Sequence, residues 1–312
     1  MAWRGLHLTN PSRLSLADDQ IVVSQDDGEV RLALEDLAWV VIDSPRTSLT
    51  SSLMSACMAH GVAVVFTDAT HTPSGVALPF HRHHRTADVA GKQAAASGPL
   101  KKRLWQAVIR AKIDNQAGAL DAVGAGGGRT LREMARRVGS GDPGNVEAQA
   151  ARYYWGQLWK GFRRGDDGDR RNKLLNYGYA VVRSGVARAL VSSGLIPAFG
   201  LKHASVSNAF NLADDLVEPF RPFVDVLAWR TAGDGAPCRE DLSVEDRRAM
   251  AGVLLGEARM GAETMTLLTA TERTAESVVR ALDAATPAVL LLPTLIMHGS
   301  ILAEPASPEP EP

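Results

Sequence analysis

The chain has 312 residues, 45% of them hydrophobic and 22% charged, with 34 Lys+Arg against 35 Asp+Glu, the composition of a globular protein of about two domains. Two cysteines, Cys57 and Cys238, exclude a disulfide framework, and the opening Met-Ala-Trp-Arg-Gly-Leu-His carries no apolar signal run, so the cytoplasm is the expected compartment. The longest apolar stretch, Ala288 to Met297, is about half a bilayer span, which argues against a membrane partner and reads as a buried helix.

Residues 1–75 read as a β-rich domain. Short apolar or alternating runs at Leu6–Leu8, Gln20–Ser24 and Glu29–Leu34 are separated by Asn10-Pro11 and Asp26-Asp27-Gly28 turns, and stronger strand formers follow at Trp39–Asp43 and Val62–Thr67. Ser51–Ala59 between them is helical in pattern. Residues 76–98 read as an interdomain connection. His81, His83 and His84 there lack a spaced Cys or carboxylate to complete a metal set, so phosphate contact from the interleaved arginines is the better reading.

From Pro99 a 3.6-residue period dominates, and residues 99–302 are expected to form a larger, almost entirely α-helical domain. The last ten residues, 303–312, form a Pro/Glu tail too polar to fold. Leu104, Trp105, Val108 and Ile109, then Lys112 and Ile113, recur at three and four residues. Thr130-Leu-Arg-Glu133 reads as a capping box and Ser243-Val-Glu-Asp246 as its near relative. Asp142-Pro143 reads as a cap followed by a first-turn proline ahead of Val146–Trp159. Gly124–Thr130 has no strand entering it and no Gly-Lys-Ser/Thr, so it is a helix–helix loop and not a phosphate loop.

Near-neutral net charge hides a local excess of cations. Arg82, Arg85, Lys101, Lys102, Arg103, Arg110 and Lys112 meet few acids, a pattern that binds phosphate or forms a solvated face. Asp215 and Glu218 are three apart, on one face of a helix that Pro219 should kink. Two solvated surface acids are the competing reading.

Glu147 in Val-Glu-Ala-Gln-Ala-Ala-Arg-Tyr-Tyr-Trp155, His203 in Gly-Leu-Lys-His, and Glu218 in Asn-Leu-Ala-Asp-Asp-Leu-Val-Glu-Pro-Phe-Arg-Pro222 resemble the three metal-ligand motifs of the CRISPR-associated spacer-acquisition integrase family. The wording of the last is similar to the branch that accompanies single-subunit RNA-guided effector nucleases. The resemblance implies an α+β chain with a small β-rich N-terminal domain and a larger all-α catalytic domain. It further implies Glu147, His203 and Glu218 as catalytic metal ligands, with Asp215 as a candidate additional acid. The implied activity is insertion of foreign DNA fragments as spacers into a CRISPR array during antiviral defence, by attack of a 3'-hydroxyl on a phosphodiester. The implied partners are double-stranded DNA with 3'-hydroxyl ends, the CRISPR repeat, a second copy of the chain, and a small ferredoxin-like acquisition subunit, with the effector nuclease as a further candidate. Two carboxylates and one imidazole suit Mg²⁺ or Mn²⁺. Arg163, Arg164, Asn176 and Tyr177 lie between the ligands in sequence and are candidate DNA contacts. Two other readings stay open: a metal-independent tyrosine recombinase acting through Tyr177 or Tyr179, and a non-catalytic DNA-binding scaffold.

Overall fold

The computed structural model describes residues 4–79, 83–233 and 239–296. The N-terminal part carries β1 (Arg4–Leu8), β2 (Arg13–Ala17), β3 (Gln20–Gln25), β4 (Gly28–Ala33), β5 (Leu37–Ile42), β6 (Ser48–Leu49), helix α1 (Ser51–His60), β7 (Ala63–Thr67) and β8 (Pro73–Ala77). These strands form two four-stranded sheets, ordered β1-β5-β7-β8 and β4-β3-β2-β6. β5 is parallel to both β1 and β7, and every residue of its Leu-Ala-Trp-Val-Val-Ile run is buried, as a strand covered on both faces requires. One face, through Leu37, Val40 and Ile42, packs on the second sheet and α1. The other, through Ala38, Trp39 and Val41, joins the core of the helical part.

The helical part consists of α2 (Thr86–Ala95), α3 (Gly98–Ala122), α4 (Gly128–Arg137), α5 (Val146–Leu158), α6 (Arg170–Ser192), α7 (Asn211–Val217), α8 (Arg221–Ala232), α9 (Val244–Ala251) and α10 (Leu267–Asp283). The two long helices α3 and α6 are buried along most of their length. Gly178 lets α6 close on α8 and α9, because an added Cβ would stand 2.5 Å from Val224 and from Met250. The kink at Pro219 is present: α7 stops at Val217, a single 3₁₀ turn covers Glu218–Phe220, and α8 starts anew.

Several expectations are corrected. The helical part contains a three-stranded antiparallel sheet of β9 (Glu257–Met260), β10 (Glu263–Thr266) and β11 (Thr294–Leu295). Residues 288–296 form no α-helix: a single 3₁₀ turn covers Pro287–Val289, Pro293 withholds a backbone donor, and Thr294 and Leu295 pair with β9 instead. Residues 76–98 include the end of β8 and all of α2. Thr130 lies inside α4, whose cap is Gly127 in the left-handed region. Asp142 caps α5 from four residues upstream, accepting from the amides of Val146 and Glu147, with Pro143 outside the helix. The Ser243 capping box is complete in both arms. Among the described residues no helix is long and apolar enough to cross a membrane. Arg82 and the 303–312 tail fall outside the described residues.

Candidate metal centre

Three distant segments meet at the broken helix. Glu147 stands in the first turn of α5, held there by the Asp142 cap. Glu218 opens the 3₁₀ turn and is buried. Lys112 reaches from α3 between them, its Nζ 2.6 Å from Glu147 Oε1 and 2.6 Å from Glu218 Oε2. The second contact is a close, charge-assisted ion pair, and no other donor among the described residues reaches the buried Glu218 Oε2. Arg221 approaches the other oxygen, Oε1, at 3.1 Å. Burial pushes the Glu218 carboxyl upward, but Lys112 and Arg221 outweigh it and hold its pKa below the ordinary value; a charge on His203 adds to the lowering. Burial likewise opposes the Lys112 ammonium, yet Glu218 and Glu147 keep its pKa above the usual lysine value.

His203 is positioned by Asp215. The buried Asp215 carboxylate accepts from the backbone N–H groups of Leu201, Lys202 and His203 and from His203 Nδ1 at 2.7 Å. An Nδ1–H committed to Asp215 leaves the Nε2 lone pair free for a cation, the carboxylate–histidine arrangement that orients a metal-binding imidazole. Gly200 makes the loop possible, because a Cβ there would lie 2.2 Å from the His203 carbonyl oxygen and 2.9 Å from Asp215 Oδ2. Asn211 braces it further by donating to the carbonyls of Ala198 and Ser205. Trp105 presents its ring edge-on to the imidazole.

Among the described residues, no three of His, Cys, Asp and Glu already stand together at ion-binding distances. The donor types nevertheless suit a hard divalent cation: two carboxylates and one imidazole whose Nε2 is free of Asp215. The space between Glu147 and Glu218 already carries a positive charge, that of Lys112.

A cleft of about 400 Å³ opens beside His203, lined by Arg164, Asn176, Tyr179, Arg183 and Arg221. Arg164 donates to Asn176 and, with Arg221, lies over the Tyr179 ring. A larger cleft of about 610 Å³ lies across Asn176, lined also by His71, Tyr177 and Arg247, and holds none of the three expected ligands.

Two expected DNA contacts face inward. Lys112 is turned into the site, since its place in the Trp105–Val108–Ile109–Ile113 period puts it on the buried side of α3. Tyr177 is buried, with its hydroxyl 3.1 Å from His7 Nε2. Lys102, Arg103, Arg110, Arg163 and Arg164 are exposed, Lys101 and Asn176 half-buried, and Arg85 is exposed but paired with Asp88. Sequence reasoning misses Arg183 and Arg221. Arg221 is detectable as the i+3 partner of Glu218, whereas nothing in the sequence marks Arg183.

The structure thus joins a β-rich N-terminal part to a helical part through a shared core, with Glu147 and Glu218 paired to one lysine and a cleft opening beside His203. The pattern of the family described as CRISPR associated protein Cas1 matches residues 6–260. A relative from Neisseria meningitidis serogroup C (strain 8013), named CRISPR-associated endonuclease Cas1, is 41% identical over 227 residues, covering 72% of this chain and 75% of that protein. The fold is similar to a casposase bound to integration product (TM-score 0.74, 18% identity, 91% of each chain). It is also similar to a Cas1 protein from Thermotoga maritima (TM-score 0.71, 14% identity, 90% of this chain and 97% of that one). The chain belongs to the Cas1 family of CRISPR-associated proteins.

Proposed function

We propose that the chain is the nuclease and integrase of CRISPR adaptation, joining DNA 3'-ends to a CRISPR repeat at Glu147, His203 and Glu218. The observation that carries this reading is the meeting of Glu147 and Glu218, from α5 and the α7–α8 break, around one cation position. In the reaction a 3'-hydroxyl forms a new ester bond to a backbone phosphorus while the old 3'-oxygen leaves. Held by the two carboxylates and His203 Nε2, Mg²⁺ or Mn²⁺ would supply Lewis-acid stabilisation of charge on the phosphate oxygens. Asp215 fixes the imidazole, and Arg164, Arg183 and Arg221 line the route by which a phosphodiester reaches it. Lys101, Lys102 and Arg103 hold the DNA backbone without reading its sequence.

The partners belong to the same proposal: duplex DNA, a second copy and a small ferredoxin-like subunit, on a chain divided near residue 76. β4 is an edge strand with exposed Val30, a surface that pairing of two copies would cover. The recombinase reading is disfavoured because burial pushes the phenols of Tyr177 and Tyr179 up, and both hydroxyls are engaged, with His7 and Asp225. The deciding experiment is strand transfer of a 3'-hydroxyl duplex into a repeat by Glu147→Gln. Activity should vanish while DNA binding persists, with EDTA abolishing the wild-type reaction. Activity retained in EDTA with a covalent protein–DNA adduct would establish the recombinase instead.

A further inference from the structure

Lys112 differs from every other cation near the site in what surrounds it. Its side chain is only 11% exposed, and an ammonium is that deeply buried only where opposite charge offsets the loss of water. Both of its partners are expected ion ligands, Glu147 Oε1 and Glu218 Oε2, each at 2.6 Å. Without Lys112 two carboxylates from separate elements would face one another across the site. Arg221 relieves only one of them, at the far oxygen of Glu218. With Lys112 and Arg221 in place the four charges sum to zero.

We propose that Lys112 is a resident cation that keeps Glu147 and Glu218 in register and makes divalent-ion binding conditional on the arrival of a DNA phosphate. This rests on the ion-binding reading of Glu147, His203 and Glu218. A doubly charged ion entering between the carboxylates meets the Lys112 ammonium at close range, and a phosphodiester arriving beside it relieves that repulsion by adding negative charge. Lysine suits the task, because its charge is compact and its four-carbon stem is flexible. The ammonium can withdraw from between the carboxylates toward an incoming phosphate while staying paired. The ligands are thereby ordered before DNA binds, and the ion is held tightly only on DNA.

The test is titration of the full chain with Mn²⁺, free ion being followed by electron paramagnetic resonance, with and without a 3'-hydroxyl duplex. A Glu147→Gln/Glu218→Gln double variant serves as the blank for ion bound by DNA itself. Wild type should bind Mn²⁺ at least about tenfold more tightly with DNA than without, the size of effect a unit charge exerts at such range. Lys112→Met should bind Mn²⁺ without DNA at least about tenfold more tightly than wild type, and its ion-free form should melt at a lower temperature. A merely structural lysine would, when removed, weaken ion binding. An unchanged or weakened Mn²⁺ affinity in Lys112→Met overturns the inference and leaves the ion site standing. If that variant does not fold, equal wild-type affinities with and without DNA overturn it as well. No Mn²⁺ binding above the blank in either condition overturns the metal-centred function itself.

Discussion

Asp43 at the end of β5 and Glu218 at the break between α7 and α8 are both buried acids, and each meets an arginine. Asp43 is surrounded by donors: His7 Nε2 at 3.2 Å, His71 Nδ1 at 2.9 Å, Thr67 Oγ1 at 3.4 Å and Arg247 Nε at 2.7 Å. These bind β1, β5, the loop before β8 and α9 into one joint, and they outweigh burial to hold the Asp43 carboxyl below its usual pKa. Glu218 is treated otherwise, with one oxygen paired to Arg221 and the other to Lys112. Asp43 is thus held by neutral and charged donors from several elements, whereas Glu218 is balanced by two cations alone.

The sharpest way to break this comparison is to neutralise each acid in turn. Glu218→Gln should cost strand transfer on the order of 1000-fold, the scale of losing a main stabiliser of transition-state charge, while stability falls less than in Asp43→Asn, because Glu147 still pairs the Lys112 ammonium. Asp43→Asn should do the reverse, losing about 3 kcal/mol of stability, as when one partner of a buried charge pair is removed, with strand transfer per folded molecule retained. Urea unfolding and a single-turnover assay on both variants check the pair. A stability loss in Glu218→Gln equal to that in Asp43→Asn would erase the distinction.

A third buried acid sharpens it. Asp225 lies beneath the cleft, between the hydroxyls of Tyr154 and Tyr179, and burial raises its pKa to about 7 against the weaker lowering effect of those hydrogen bonds. Its folded pKa is above the unfolded value of 3.8, so its contribution to stability is complete below that value and is lost as the pH rises through about 7. Between pH 5 and 6.5 this group should make wild type lose about 1 kcal/mol per pH unit relative to Asp225→Asn. Denaturant midpoints of both proteins across that range measure the difference. Parallel pH profiles would refute the assignment.

The smallest effect is expected on the surface. Changing Lys101, Lys102 and Arg103 to Ala should flatten the plot of log affinity against log salt by about 0.9 for each duplex phosphate that is no longer neutralised. Binding should weaken alike for unrelated sequences, with Mn²⁺ affinity at the buried acids unchanged. An unaltered salt slope would make the cluster a solvated face and move the DNA path to Lys160–Lys173.

Much of this contrast is legible in the amino-acid order. Alternation and β-branched runs mark five strands, and Pro219 marks the helix break. The third sheet escapes because its strands are at most four residues long, β9 and β10 being joined at Gly261, too short for a period to show. Lys112 is the instructive miss. Its spacing from Trp105, Val108 and Ile109 places it on the buried face, but its charge groups it with the exposed patch. When period and charge disagree, a buried lysine needs an acid partner, and the acids here lie on other segments that only the tertiary fold brings near. The arrest of His203 by Asp215 is hidden for the same reason, since the loop returns through Gly200 to meet a helix twelve residues on.

The most direct test of the central claim is a crystal of the full chain with duplex DNA, soaked in Mn²⁺ and measured for anomalous scattering. The account predicts one peak per active centre, among Glu147, Glu218 and His203 Nε2, with the Lys112 ammonium moved away from between the carboxylates. A peak at any other group of side chains, or none while the duplex is bound in the cleft, would contradict it.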